Sequence, residues 1–85
     1  MNQTATSNIY QKHGDEFGIA IARGTGSNGS FYYPAKVYMD GDRNGFNEAI
    51  LFDKLPPQTS FREAHEAFVR LAESESWNFL GTVEV

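Results

Sequence analysis

The sequence predicts an α+β fold: an antiparallel β-sheet, in the chain order β-β-β-α-β, with one helix packed on one face. Three observations predict this fold. Segments with alternating apolar residues precede the Pro56–Pro57 pair, one segment with helical spacing follows it, and alternation resumes at the C-terminal end. Strands joined by short polar turns form antiparallel meanders, and the helix then returns the last strand to the sheet.

Three strands are predicted before the helix. The first runs from Phe17 to Arg23 and alternates large apolar residues with glycine or alanine. The second runs from about Phe31 to Met39, and Gly24–Ser30 reads as a hairpin connection. The third runs from about Asn47 to Phe52, a segment whose residues could alternatively form a helical turn. Because Pro34 has no N–H to donate, the second strand is expected to be an edge strand or to be bulged at this residue.

The helix is predicted from about Phe61 to Glu75. Ser60 is the expected N-cap, and Glu63 at the third helical position would complete a capping box. The predicted buried stripe consists of Phe61, Ala64, Phe68, Leu71 and Ala72. Alternation from Trp77 to Val85 then predicts the last strand.

Composition limits the domain organisation and the partners. Residues 1–14 are predicted to be a flexible polar leader, and residues 15–85 a single small α+β domain. The net charge of −4 argues against a nucleic-acid partner, because phosphate binding requires a basic patch. No cysteine, secretory signal or apolar run long enough for a membrane span is present, so we expect a cytoplasmic protein without membrane contact.

The second strand carries large side chains on both of its faces. Phe31, Tyr33 and Val37 alternate with Tyr32 and other large residues, and one helix can cover only one of these faces. The other face is therefore predicted to be an interaction surface. Its predicted residues are Tyr32, Lys36, Tyr38, Ile50 and Phe52.

One turn resembles part of a calcium loop. Asp40, Asp42 and Asn44, followed by Gly45, have the spacing of the first half of such a loop. The position that should hold a bidentate glutamate is occupied by Leu51, so the sequence favours a plain hairpin turn, with a metal site at these residues as the weaker alternative.

The remaining motifs are incomplete. The glycine-rich segment Gly24–Ser30 lacks the Gly-Lys-Ser/Thr ending of a phosphate loop, and His65-Glu66 lacks a second histidine because Val69 occupies that position. No spacing indicates an activated nucleophile or an acid–base pair. We therefore predict no catalytic residues and no cofactor.

These observations predict a small non-enzymatic protein–protein interaction module, such as an adaptor, regulator or inhibitor. The partner would be another protein or a second copy of the chain. Three alternatives stay open: a homodimeric structural protein of the same fold, a single-stranded nucleic-acid binder that stacks bases on its tyrosines, and a protein that binds calcium in its hairpin loop.

Overall fold

The computed structural model describes residues 5–38, 45–51 and 53–85. Its elements are β1 (Thr6–Gln11), β2 (Gly18–Gly26), β3 (Gly29–Tyr38), β4 (Gly45–Ala49), α1 (Phe61–Ser74) and β5 (Asn78–Glu84). The strands form one antiparallel sheet in the order β4-β3-β2-β1-β5. The α+β class and the antiparallel sheet are thus confirmed, as is a helix before the last strand, which is the one helix among the described residues. In the described part of the chain, no helix is long and apolar enough to cross a membrane.

Strand β1 lies inside the segment for which a flexible leader was expected, and here the structure differs from that expectation. Residues 6–11 occupy an interior position of the sheet, between β2 and β5. Ser7, Ile9 and Tyr10 are all buried. The segment TSNIYQ has only two apolar residues, which are adjacent, so it gives no alternating pattern. Its partner β5 lies about seventy residues further along the chain, so tertiary contacts determine this strand.

Strands β2 and β3 form the predicted hairpin, with a shorter connection than expected. Their register runs without interruption from Gly18↔Val37 to Gly26↔Gly29. Only Ser27 and Asn28 remain as the turn, and Gly29 takes a φ of +110°, which favours glycine.

Pro34 lies in an interior strand, because β3 has β2 on one side and β4 on the other. It stands opposite Ile21, whose N–H points to the β1 side and donates to Ser7 Oγ (2.9 Å). The missing proline N–H therefore costs no hydrogen bond to β2. On the β4 side the Pro34 carbonyl accepts from Ile50 N–H (3.0 Å), and the register shifts between Ala35 and Val37. The prediction that this strand lies at the edge of the sheet was therefore wrong. The alternative prediction was a bulge at Pro34, and the register irregularity lies close to this residue.

Both ends of α1 are capped by local hydrogen bonds. Ser60 Oγ accepts from the Glu63 N–H (3.3 Å), as the sequence predicted. At the other end, Ser76 N–H donates to the Glu73 carbonyl and Trp77 N–H to the Ala72 carbonyl, which is the Schellman pattern. Ser76 has a φ of +58°, a conformation that usually selects glycine.

The sheet has a separate apolar cluster on each face. On one face α1 packs its Phe68 against Tyr10, Ile19 and Ile21. On the opposite face Ile9, Ala20 and Val37 form the second cluster, and half-buried Val83 packs against them. Because residues of β2 alternate, its isoleucines face the helix and its glycines and alanines face away.

Candidate functional site: the outer edge of β5

The described residues of the predicted open face, which are Tyr32, Lys36, Tyr38 and Ile50, lie on the side of the sheet that carries the helix. Tyr32 and Ile50 pack against the cluster beneath α1, and the Tyr32 ring meets Phe61 edge to face with centroids 5.6 Å apart. On the same face, Lys36 Nζ lies 4.5 Å from the centroid of the Phe17 ring, which is 6.3 Å from the Tyr38 ring. The assignment of the uncovered face was therefore wrong. A binding role for these residues stays a prediction.

Four other predicted positions lie outside the described residues. They are Phe52 of the expected interface and the metal-loop residues Asp40, Asp42 and Asn44. Among residues 5–38, 45–51 and 53–85, no group of three or more potential ligands could hold a metal ion.

The face opposite the helix is closed at its centre by side chains of neighbouring strands. Ile9 and Leu80 lie over Gly18, where an added Cβ would come within 2.6 Å of Ile9 Cγ2 and 3.3 Å of Leu80 Cδ1. The Phe31 ring similarly lies over Gly24. Small residues in β2 thus let larger neighbours fold across the sheet, so this face is not an open apolar surface.

Strand β5 carries the exposed apolar side chains. Among the residues whose side chains the structure describes, Phe79 (58% exposed) and Leu80 (41% exposed) are the exposed large apolar residues. We call the side of β5 that faces away from β1 the outer edge; no described strand pairs with it. A strand edge with adjacent exposed apolar residues can accept a strand from another chain.

The pairing of β5 with β1 shows which main-chain groups point to the outer edge. Val85 N–H donates to the Ala5 carbonyl (2.9 Å), so this pair is hydrogen-bonded. Hydrogen-bonded and non-hydrogen-bonded pairs alternate in an antiparallel ladder. The next two non-hydrogen-bonded pairs are Glu84↔Thr6 and Thr82↔Asn8. The N–H and C=O groups of Thr82 and Glu84 therefore point outward.

A second hydrogen bond supports this assignment of the outward-pointing groups. Asn8, which stands opposite Thr82, must direct its own N–H away from β5. It does so, because this N–H donates to Nε2 of His65 on α1 (3.0 Å).

A bulge places the two exposed side chains at the start of this edge. Tyr10 pairs with Phe79 and Ile9 with Gly81, which leaves Leu80 as an extra residue in β5. The Phe79 ring contacts Tyr10 on the helix face (centroids 5.7 Å apart), whereas Leu80 reaches Gly18 on the other face. Apolar surface therefore flanks the outer edge on both sides of the sheet.

The strand pair β1–β5 is joined to the rest of the sheet by few main-chain contacts. Between β1 and β2 the register contains one pair, Tyr10↔Ile19. Beyond it two side chains replace the ladder: Ser7 Oγ accepts from Ile21 N–H, and His65 Nε2 accepts from Asn8 N–H. Side-chain hydrogen bonds of this kind satisfy main-chain groups that would otherwise be unpaired.

An open groove lies beside α1, next to this junction. Its volume is about 500 Å³, and it is lined by Asn8, His65, Glu66, Val69, Arg70 and Glu73. The His65 ring stacks on Phe61 with centroids 5.2 Å apart. Burial lowers the pKa of His65 below its usual 6.5, and the neighbouring Glu66 carboxylate partly opposes this shift.

A smaller cavity lies between α1, β3 and the segment after β4. Its volume is about 90 Å³, with Ile21, Leu55 and Ala67 among its lining residues. Pockets for small-molecule ligands are usually about 300–1,000 Å³. This cavity is therefore smaller than a usual pocket for a small-molecule ligand.

Comparisons with protein-family models, with curated proteins and with solved structures gave no match for this chain. The geometry of the chain itself therefore carries the functional argument. Sequence reasoning placed Phe79 and Leu80 in the last strand but not in the interface. Their adjacency was the signal that could have indicated exposure. Neighbouring apolar residues in a strand face opposite sides of the sheet, and a single helix covers only one of these sides.

Proposed function

We propose that this chain is a non-enzymatic protein–protein interaction module that accepts an extended segment of a partner at the outer edge of β5. One observation carries the proposal: outward-pointing main-chain groups at Thr82 and Glu84 coincide with the exposed side chains of Phe79 and Leu80. In strand addition, main-chain hydrogen bonds supply affinity, and side chains on both faces supply specificity.

The two exposed side chains suit this role. An aromatic ring buries a large area at a low cost in side-chain entropy, and such residues are enriched at interface centres. Phe79 already rests on Tyr10 and Leu80 on Gly18, so each is partly ordered before a partner arrives. Preorganised side chains lose less freedom on binding, which favours affinity.

Charge favours protein over nucleic acid at this edge. The segment from Asn78 to Val85 contains Glu84 and neither lysine nor arginine. A strand that bound a phosphate backbone would need basic residues.

A displayed library of random ten-residue peptides tests the proposal. We expect selected peptides to alternate apolar residues and to shift the amide resonances of Thr82 and Glu84 most strongly. A variant with Phe79→Lys and Leu80→Lys should lose binding, because edge lysines oppose strand addition. The control variant, Thr25→Lys with Asn28→Lys, adds the same charge to exposed positions of the β2–β3 hairpin and should bind normally.

Two results would overturn the proposal. One is a selection that yields no binding peptide. The other is a set of peptides that bind the Phe79/Leu80 lysine variant as well as the unmodified chain, or that shift Tyr32 and Tyr38 instead of β5.

A further inference from the structure

We infer that the strand accepted at the outer edge is β5 of a second copy of this chain, paired antiparallel about a two-fold axis at Thr82. This inference rests on the proposed function and names its partner. A symmetric dimer uses the same surface on both subunits, so the edge must be complementary to itself. The outer edge of β5 meets this requirement in one register.

The outward main-chain groups limit the choice of registers. In the regular part of β5, from Gly81 onward, hydrogen-bonded pairs across the new interface must join residues whose N–H and C=O point outward, namely Thr82 and Glu84. A two-fold axis then allows three arrangements: Thr82 opposite itself, Thr82 opposite Glu84, or Glu84 opposite itself.

Overlap and charge select among these three. With Glu84 opposite itself, two carboxylates face each other and the strands overlap only at their ends, which is unfavourable. With Thr82 opposite Glu84, the overlap within β5 is confined to Thr82–Glu84, and Leu80 stays uncovered. With Thr82 opposite itself, the overlap extends from Leu80 to Glu84, so the main chain of each Leu80 lies opposite Glu84 of the partner subunit, with the Leu80 side chain on the face away from the helix.

The Thr82-centred register also separates the acidic side chains. The two Glu84 residues then lie four strand positions apart, about 14 Å at about 3.4 Å per residue. That distance exceeds the screening length of about 8 Å at physiological ionic strength. Directly opposed threonines are, in addition, a favourable cross-strand pair.

The helix leaves room for this arrangement. It packs over β1, β2 and β3, and its groove-lining residues border β1. Pairing two β5 edges would therefore join the five described strands of each copy into one continuous sheet, with both helices on the same side. The contact is a single strand pair with Phe79 and Leu80 beside it, so the dimer belongs to the small, transient class of interface.

Single cysteines test the register directly, because the chain contains no cysteine of its own. Cα atoms of a hydrogen-bonded antiparallel pair are about 5.5 Å apart, which suits a disulfide. In a thiol–disulfide buffer, Thr82→Cys should form disulfide-linked dimers faster than Val83→Cys or Glu84→Cys. Thr25→Cys, at an exposed position outside β5, measures the rate of random collision.

Sedimentation equilibrium of the unmodified chain is the second measurement, and it does not depend on whether a cysteine variant folds. We expect weak dimerisation that increases with concentration and is lost in the Phe79→Lys, Leu80→Lys variant. A monomer at all concentrations, or disulfide formation at Thr82→Cys no faster than at Thr25→Cys, would overturn the inference. Faster linkage at position 83 or 84 would also overturn it, because another register would then be occupied.

The outcomes separate this inference from the proposed function. If the chain is monomeric but selected peptides still bind at β5, only the second copy is refuted. If peptide selection fails as well, strand addition itself is refuted.

Discussion

His65→Ala should destabilise the protein by removing the acceptor for the Asn8 main-chain N–H. In the folded chain this N–H lies between β1 and β2 and donates to His65 Nε2 at 3.0 Å. Leaving a buried donor unpaired costs about 1–3 kcal/mol, and the lower part of that range applies to this partly buried N–H. The lost stacking on Phe61 adds to this cost. We therefore expect a loss of about 1–3 kcal/mol in the free energy of unfolding at pH 7.5.

The same hydrogen bond predicts a pH dependence. A ring nitrogen that accepts carries no proton, so the folded state requires neutral His65. Burial lowers the pKa of His65 in the folded state below the ordinary 6.5, so the unfolded chain takes up its proton first as the pH falls. Stability from this group is fully present above pH 6.5 and is lost as the pH falls through the folded-state pKa.

Several charged groups lie near His65 and modify the way in which stability depends on pH. Glu66, Arg70 and Glu73 of α1 line the same groove. Arg23 of β2 and Glu84 of β5 lie on the helix face of the sheet. The strand β1 contributes the neutral groups Asn8 and Tyr10, which are hydrogen-bonded to each other (3.1 Å).

Urea denaturation followed by Trp77 fluorescence, from pH 7.5 to pH 5, measures both effects. His65→Gln retains an acceptor that does not titrate, so it should keep most of the stability at pH 7.5 and show a flatter pH profile. His13→Gln, which replaces an exposed histidine in the turn after β1, is the matched control and should retain the profile of the unmodified chain. Unchanged stability of His65→Ala, together with undiminished protection of the Asn8 amide from hydrogen exchange, would refute the reasoning.

Four further substitutions test the packing and the helix end, each by thermal or urea unfolding. Phe68→Ala should cost about 3–5 kcal/mol, because Phe68 is fully buried and contacts Tyr10 and Trp77; a smaller loss would show that the cluster under α1 repacks. Ser76→Gly should stabilise the chain by up to about 1 kcal/mol by relieving its positive φ, whereas Ser74→Gly inside the helix should destabilise it by about 0.5–1 kcal/mol. Gly18→Ala should cost about 1–3 kcal/mol, because its Cβ would clash with buried Ile9; an unchanged melting temperature would contradict the close approach of these strands.

Local chemistry made part of the fold predictable. The N-cap depends on one local hydrogen bond, which the Ser60 hydroxyl accepts from the main-chain N–H of Glu63 three residues later. This predicted hydrogen bond is present. The β2–β3 hairpin follows from glycines at both ends of a polar turn. Its strands extended further than expected, because the weak strand propensities of Gly24 and Gly26 were outweighed by an uninterrupted ladder.

The candidate site was less predictable. Tyr32 and Phe31 are adjacent aromatic residues on opposite faces, and their types do not indicate which of them meets the helix. Phe79 and Leu80 could be assigned to a strand, but whether that strand is interior or at an edge depends on which neighbours pair with it.

Residue types and spacing by themselves determined the α+β class, the helix with its N-cap, the hairpin and the alternation of the last strand. These features depend on contacts within a few residues, which a sequence pattern records. Only the tertiary structure decided that residues 6–11 form an interior strand, that α1 covers the face of Tyr32, and that β5 lies at an edge. Those outcomes depend on pairing between segments up to about seventy residues apart. Alternative pairings of such segments differ in packing energy, which the local sequence pattern does not record.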